Sequence, residues 1–200
     1  MQDFRQEIKI YIANEMAALT RLDISALNNA LNVIADAYAR EADIYIFGNG
    51  GSAATASHYA NDFNKGISEK TGKKFRMHCL CDNFATVMAI ANDISYDEVF
   101  RFQLQGVLRK GDLVIGISGS GNSQNVLNAI EYAKSMGVST IGITGYDGGK
   151  LRAMTDYHMD TMVDDMQVTE DIHMIFDHMM YRVLGEALQK EHNSATKNQT

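Results

Sequence analysis

The chain has 200 residues, 46% of them hydrophobic and 22% charged, with a formal net charge of −7 and only two cysteines. That size suits one domain with a substantial core, and the acidic balance argues against broad nucleic-acid binding. No apolar run is long enough to span a bilayer, and the opening MQDFRQEIKIYIANEM mixes charge into any would-be signal peptide, so the cytoplasm is the expected compartment.

Residues 3–21 carry Phe4, Ile8, Ile10, Tyr11, Ile12, Met16 and Leu19 at roughly helical spacing, and 24–40 repeats the pattern with Ile24, Leu27, Leu31, Ile34 and Tyr38. A strand at 43–47 runs into the turn Gly48-Asn49-Gly50-Gly51-Ser52 and then a helix over 52–64. Gly66–Lys74 reads as an exposed, charged loop. A strand at 75–81 ends in Cys79 and Cys81, whose spacing is not that of a CxxC motif and which read as buried free thiols. Helices follow at 83–91 and 96–108, then a strand at 112–117, the turn Ser118-Gly119-Ser120-Gly121-Asn122-Ser123, and a helix over 123–136. Strands at 139–143 and 157–162 and a helix at 168–190 complete a single domain over 1–191, with 192–200 a polar tail. Alternating strands and helices predict an α/β, doubly wound parallel sheet sandwiched by helices, with an N-terminal helical pair outside the alternation.

The two strand–turn–helix units carry the chemistry. Glycines permit turns that a Cβ would block, serine hydroxyls add donors, and a helix N-terminus favours an anion. Two such turns in one small chain suggest a phosphorylated small molecule at the carboxyl edge of a sheet. His58 and Asp62 lie four apart on one helix and share a face, a spacing that suits a metal or an ion pair. Asn92 and Asp93 read either as ligand contacts or as a cap for the next helix, and His173 reads as a packed core residue.

GNGGS at 48–52, His58, AIANDISYDEVF at 89–100, GDLVIGISGSGNS at 111–123, ITGYDGGKL at 143–151 and EDIHMIFDH at 170–178 together resemble the sugar isomerase (SIS) domain family, and within it the phosphoheptose isomerases. The resemblance implies a tetramer with active sites between subunits and conversion of sedoheptulose 7-phosphate to D-glycero-D-manno-heptose 7-phosphate, which feeds heptose into surface polysaccharide. It makes Ser118, Ser120 and Ser123, with the Gly119 amide, the phosphate contacts. Asn49, Gly50, Gly51, Ser52, Asn92 and Asp93 would line the sugar. His58, Asp62, Glu170 and His178 fall where the family places its catalytic and zinc-associated side chains. The chain departs from the family at Asp62, where glutamate is expected, at Glu170, where glutamine is expected, and just before it, where Val168 and Thr169 stand in place of a usual arginine.

Aldose–ketose isomerisation moves a proton between adjacent carbons through an enediol, which needs one base and one acid. Asp62 is assigned as base and His178 as acid, with Glu170 an alternative base. Two imidazoles and two carboxylates suit zinc, one per site, as well as other divalent metals. On one straight helix, however, Glu170 and His178 would stand ~12 Å apart and ~80° out of register. Either Glu170 precedes the helix or the site draws on two chains. Competing readings are an isomerase of another ketose phosphate and a non-catalytic regulator that binds a phosphosugar or a replication initiator.

Overall fold

A computed structural model describes residues 2–197. Helices α1 (Arg5–Leu19) and α2 (Ile24–Ala39) precede β1 (Ile44–Gly48) and α3 (Gly51–Asn61), which passes directly into a π-helical turn, Asp62–Ile67, and the short α4 (Ser68–Thr71). Then come β2 (Met77–Cys79), α5 (Phe84–Asp93), a 3-10 turn at Tyr96–Glu98, α6 (Arg101–Leu104), β3 (Leu113–Ser118) and α7 (Gln124–Ser135). The chain ends with β4 (Ser139–Thr144), α8 (Gly149–Met154), β5 (Tyr157–Asp160) and the long α9 (Met166–Lys197).

All five strands pair in parallel, in the order β2-β1-β3-β4-β5. The sheet is buried on both faces, which is why its central strands read as unbroken apolar runs. Alternate residues of β1 sort to the two sides: Ile44 and Ile46 pack with α2, α3 and α9, while Tyr45 and Phe47 pack with α5, α6 and α7. Chain direction across the sheet reverses between β1 and β3. In open α/β sheets the crevice at such a reversal, beyond the carboxyl ends of the strands, is where ligands bind.

Four stretches differ from the sequence reading, the first being the helix expected over 96–108, which is only a 3-10 turn at Tyr96–Glu98 and the four-residue α6. The expected loop at 66–74 is helical as far as Thr71, because Gly66, Ile67, Ser68 and Thr71 are buried beneath the charged surface residues. Gly66 lets Tyr181 of α9 lie flat on it, since a Cβ there would come within 2.3 Å of the ring. The Tyr146–Gly149 turn opens into α8, which the glycines concealed. Residues 192–197 of the expected tail continue α9 as its last turns, while 198–200 lie outside the described residues. Among the described residues, no helix is long and apolar enough to cross a membrane.

Candidate active site

The β1 and β3 turns meet at the reversal point. Asn49, Ser52, Ile117, Ser118, Gly119, Ser120, Ser123, Met166 and Glu170 line a cleft of about 120 Å³ there. Gly50 takes φ +54° and ψ −119°, a conformation that only glycine adopts readily, and this turns the chain straight from β1 into α3. Ser118 Oγ lies 3.1 Å from Ser123 Oγ. Neither Gly50 before α3 nor Ser123 before α7 caps its helix with a side chain, although Asn125 Oδ1 accepts from the Val126 amide in the first turn of α7. The cleft suits a phosphate or another small anion.

Its wall is braced by amides. Asn49 and Asn125 exchange two hydrogen bonds of 2.9 Å, and Tyr96 Oη donates to Asn49 Oδ1 at 2.8 Å. Asn125 and Tyr96 were not singled out from the sequence, where an asparagine inside a helix and a tyrosine in a polar stretch carry no distinctive signal.

A second cluster stands where α3 meets α9. His58 Nε2 lies 3.3 Å from His178 Nε2, 3.7 Å from Asp62 Oδ2 and 3.6 Å from Asp177 Oδ2. One ligand atom from each of these four residues falls within 4.8 Å of the others, the spacing of a metal-binding group. The sequence register of His58, Asp62 and His178 is therefore realised in one chain, and Asp177 is an addition. Its signal was present: α9 buries an apolar stripe through Val168, Ile172, Phe176 and Met180, and a carboxylate falls beside it. Burial, with the Asp62 charge added, raises the Asp177 carboxyl to about 7.

Glu170 does not join this group within the single chain, as expected of two residues on one straight helix; of the two alternatives, Glu170 does not precede the helix. It lies on the same helix as His178, eight residues earlier, which sets the two side chains ~12 Å apart along the axis. Its carboxylate instead faces the serine cleft. A Cβ on Gly51 would come within 2.5 Å of Glu170 Oε1, so the glycine admits the carboxylate to the N-terminus of α3. Asn92 and Asp93 end α5, exposed and bonded to each other at 2.8 Å, and they do not line the cleft. Nor do they cap the next turn, which begins after Ser95. Val168 and Thr169, which stand where the sequence reading expected an arginine, are both fully buried. His173 is a core residue as expected: 1% exposed, bonded to the Thr144 carbonyl at 3.1 Å, and lowered by burial to about 4. Cys79 and Cys81 are free thiols, half-buried rather than fully so.

The chain belongs to the SIS domain family, whose sequence profile matches residues 10–145. Among its relatives, a Thermoplasma acidophilum protein named "Probable phosphoheptose isomerase" is 34% identical over 90% of this chain and 98% of its own length. The phosphoheptose isomerase of Thermodesulfovibrio yellowstonii is 37% identical over 84% of this chain and 83% of its own. The solved structure of phosphoheptose isomerase GmhA from Neisseria gonorrhoeae superposes with a TM-score of 0.83 at 27% identity, covering 94% of this chain and 100% of that one.

Proposed function

We propose that the protein is a phosphosugar aldose–ketose isomerase that converts sedoheptulose 7-phosphate to D-glycero-D-manno-heptose 7-phosphate. The observation that carries this reading is the serine cradle between two uncapped helix N-termini at the β1/β3 reversal. Ser118, Ser120, Ser123 and the Gly119 amide hold the phosphate, and Asn49 and Ser52 face the sugar. With the phosphate fixed, the sugar's carbonyl end extends out of the small cleft toward groups that can move a proton.

Asp62 takes the carbon-bound proton as base, and His178 serves the two sugar oxygens as acid, giving the enediol and then the aldose. Asp62 is one methylene shorter than the family's glutamate. The π-helical turn that begins at Asp62 changes the backbone register there, as such turns do at many functional sites. His58, Asp62 and His178 would hold a divalent cation, zinc by preference. The donor set fits: two imidazoles and two carboxylates, one of them the buried Asp177 with no hydrogen-bond partner. Such an ion would polarise the sugar oxygens as a Lewis acid.

We also propose a homotetramer with sites shared between subunits. Phe4 and, in helix α1, Ile8, Ile12 and Met16 run along one side with Ile10 on another, each more than half exposed, a surface that a second copy would cover. Sedimentation is expected to find four chains, and a monomer at working concentration would refute the assembly. The free thiols fit the reducing cytoplasm.

The test is turnover of sedoheptulose 7-phosphate, with and without added zinc, followed by carbon NMR. Formation of the aldoheptose phosphate supports the reading. Binding without turnover would favour another ketose phosphate, a reading that Glu170 in place of a neutral amide also supports.

A further inference from the structure

Asp177 is a fully buried charged group that the reaction proposed above does not use. Its side chain has no solvent exposure, and neither carboxylate oxygen has a hydrogen-bond partner. The nearest phenol does not serve it: Tyr59 Oη donates to the His173 carbonyl instead. His58 Nε2, at 3.6 Å, is too far for a good hydrogen bond. A buried carboxylate without a donor is costly, and natural chains keep one where something else meets it.

The spacings indicate what does. Zinc bound by nitrogen and oxygen at about 2.0–2.2 Å in a tetrahedron holds neighbouring ligand atoms about 3.3–3.6 Å apart. From His58 Nε2 the three partners stand at 3.3, 3.6 and 3.7 Å. These are poor hydrogen bonds but close to the edges of a coordination tetrahedron. The donors also come from two directions, His58 and Asp62 from the α3 end and Asp177 and His178 from α9. Consecutive helical residues diverge by about 100°. Asp177 and His178 can therefore serve one ion only if it lies between their directions, where His58 stands.

We propose that Asp177, rather than Glu170, is the second carboxylate ligand of a divalent transition-metal site built within one chain from His58, Asp62, Asp177 and His178. Two carboxylates offset the charge of a dication, and two imidazoles select a borderline metal such as zinc over calcium or magnesium. Burial fixes Asp177 as the anchor. Asp62 and His178, nearer solvent, are the members able to leave the ion and meet the sugar. Glu170 is left lining the serine cleft. This inference extends the cation-site reading above and is independent of whether the protein isomerises heptose phosphate.

Metal-stripped protein is titrated with zinc against a chromophoric chelator, and no activity is read. Wild type is expected to bind one equivalent per chain. Outer-shell partners alone are worth about 10–100-fold in metal affinity, so Asp177→Asn is expected to bind at least about tenfold more weakly. Glu170→Gln should stay within about twofold of wild type, an order below that loss. The metal-free Asp177→Asn variant is expected to melt no lower than wild type, because an unpaired buried charge has gone. Zinc should raise the melting temperature of wild type more than that of the variant. Equal zinc affinity in Asp177→Asn, or a loss in Glu170→Gln, overturns the proposal.

If Asp177→Asn does not fold, anomalous scattering from zinc-soaked wild-type crystals decides. Zinc bonded to an Asp177 oxygen upholds the proposal, and zinc held without it refutes it. A wild type that turns over but takes up no zinc would sink this inference and spare the isomerase. Zinc bound through Asp177 in a protein with no turnover would do the reverse.

Discussion

Two histidines on α9, five residues apart, have opposite fates. His178 is exposed at the imidazole–carboxylate cluster, while His173 is sealed in the core and bonded only through Nε2 to a carbonyl. Burial lowers His173 from 6.5 to about 4. Between those values the unfolded chain binds a proton that the folded chain refuses, so stability is full above pH 6.5 and falls as the pH drops toward 4. The shift corresponds to about 3 kcal/mol by the acid end of that window. Asp177, raised to about 7, is relieved over the same range and offsets this loss in both proteins, so the readout is the difference: between pH 7 and pH 4.5, urea unfolding is expected to show wild type losing stability relative to His173→Gln, which cannot titrate. Equal slopes would remove His173 as the source.

The core role of His173 was legible because it falls beside a buried helical stripe, while Asp177, one turn further on, was passed over although it lies beside the same stripe. Glu170 was harder. Its sequence position matches the family's ligand, but a straight helix carries it away from His178, and only the cavity over Gly51 shows where its carboxylate goes.

Among the elements, the paired strand–turn–helix units position the site. Ser123 sits at the start of α7 with its hydroxyl 3.1 Å from that of Ser118, and it has no capping duty to perform. Ser123→Ala is therefore expected to leave the fold intact. It should weaken sugar-phosphate binding by about 1.5–3 kcal/mol, the worth of a hydrogen bond to a charged group. Calorimetry should find roughly a ten- to hundredfold loss in affinity. An unchanged affinity would move the phosphate elsewhere.

These units were readable because each combines an apolar strand, a glycine–serine turn and a helix in contiguous sequence. Strand order was not, since parallel strands pair across long crossovers and their neighbours leave no mark in the local pattern. The π-helical turn at Asp62 was hidden for a related reason. It keeps helical composition and changes only the register, and its glycine and lysine look like loop.

At the scale of the whole molecule, the sheet's reversal point gathers the anion cradle, and the α3–α9 junction gathers the groups that can hold a cation or move a proton. The central claim is that these are two parts of one site, the first binding and the second reacting. The most direct measurement compares wild type with His178→Ala for both binding and turnover of sedoheptulose 7-phosphate. The account predicts turnover by wild type, and a variant that binds within about threefold of it (under 1 kcal/mol) yet makes no product. Undiminished turnover by His178→Ala, or binding lost along with catalysis, would contradict that division of labour.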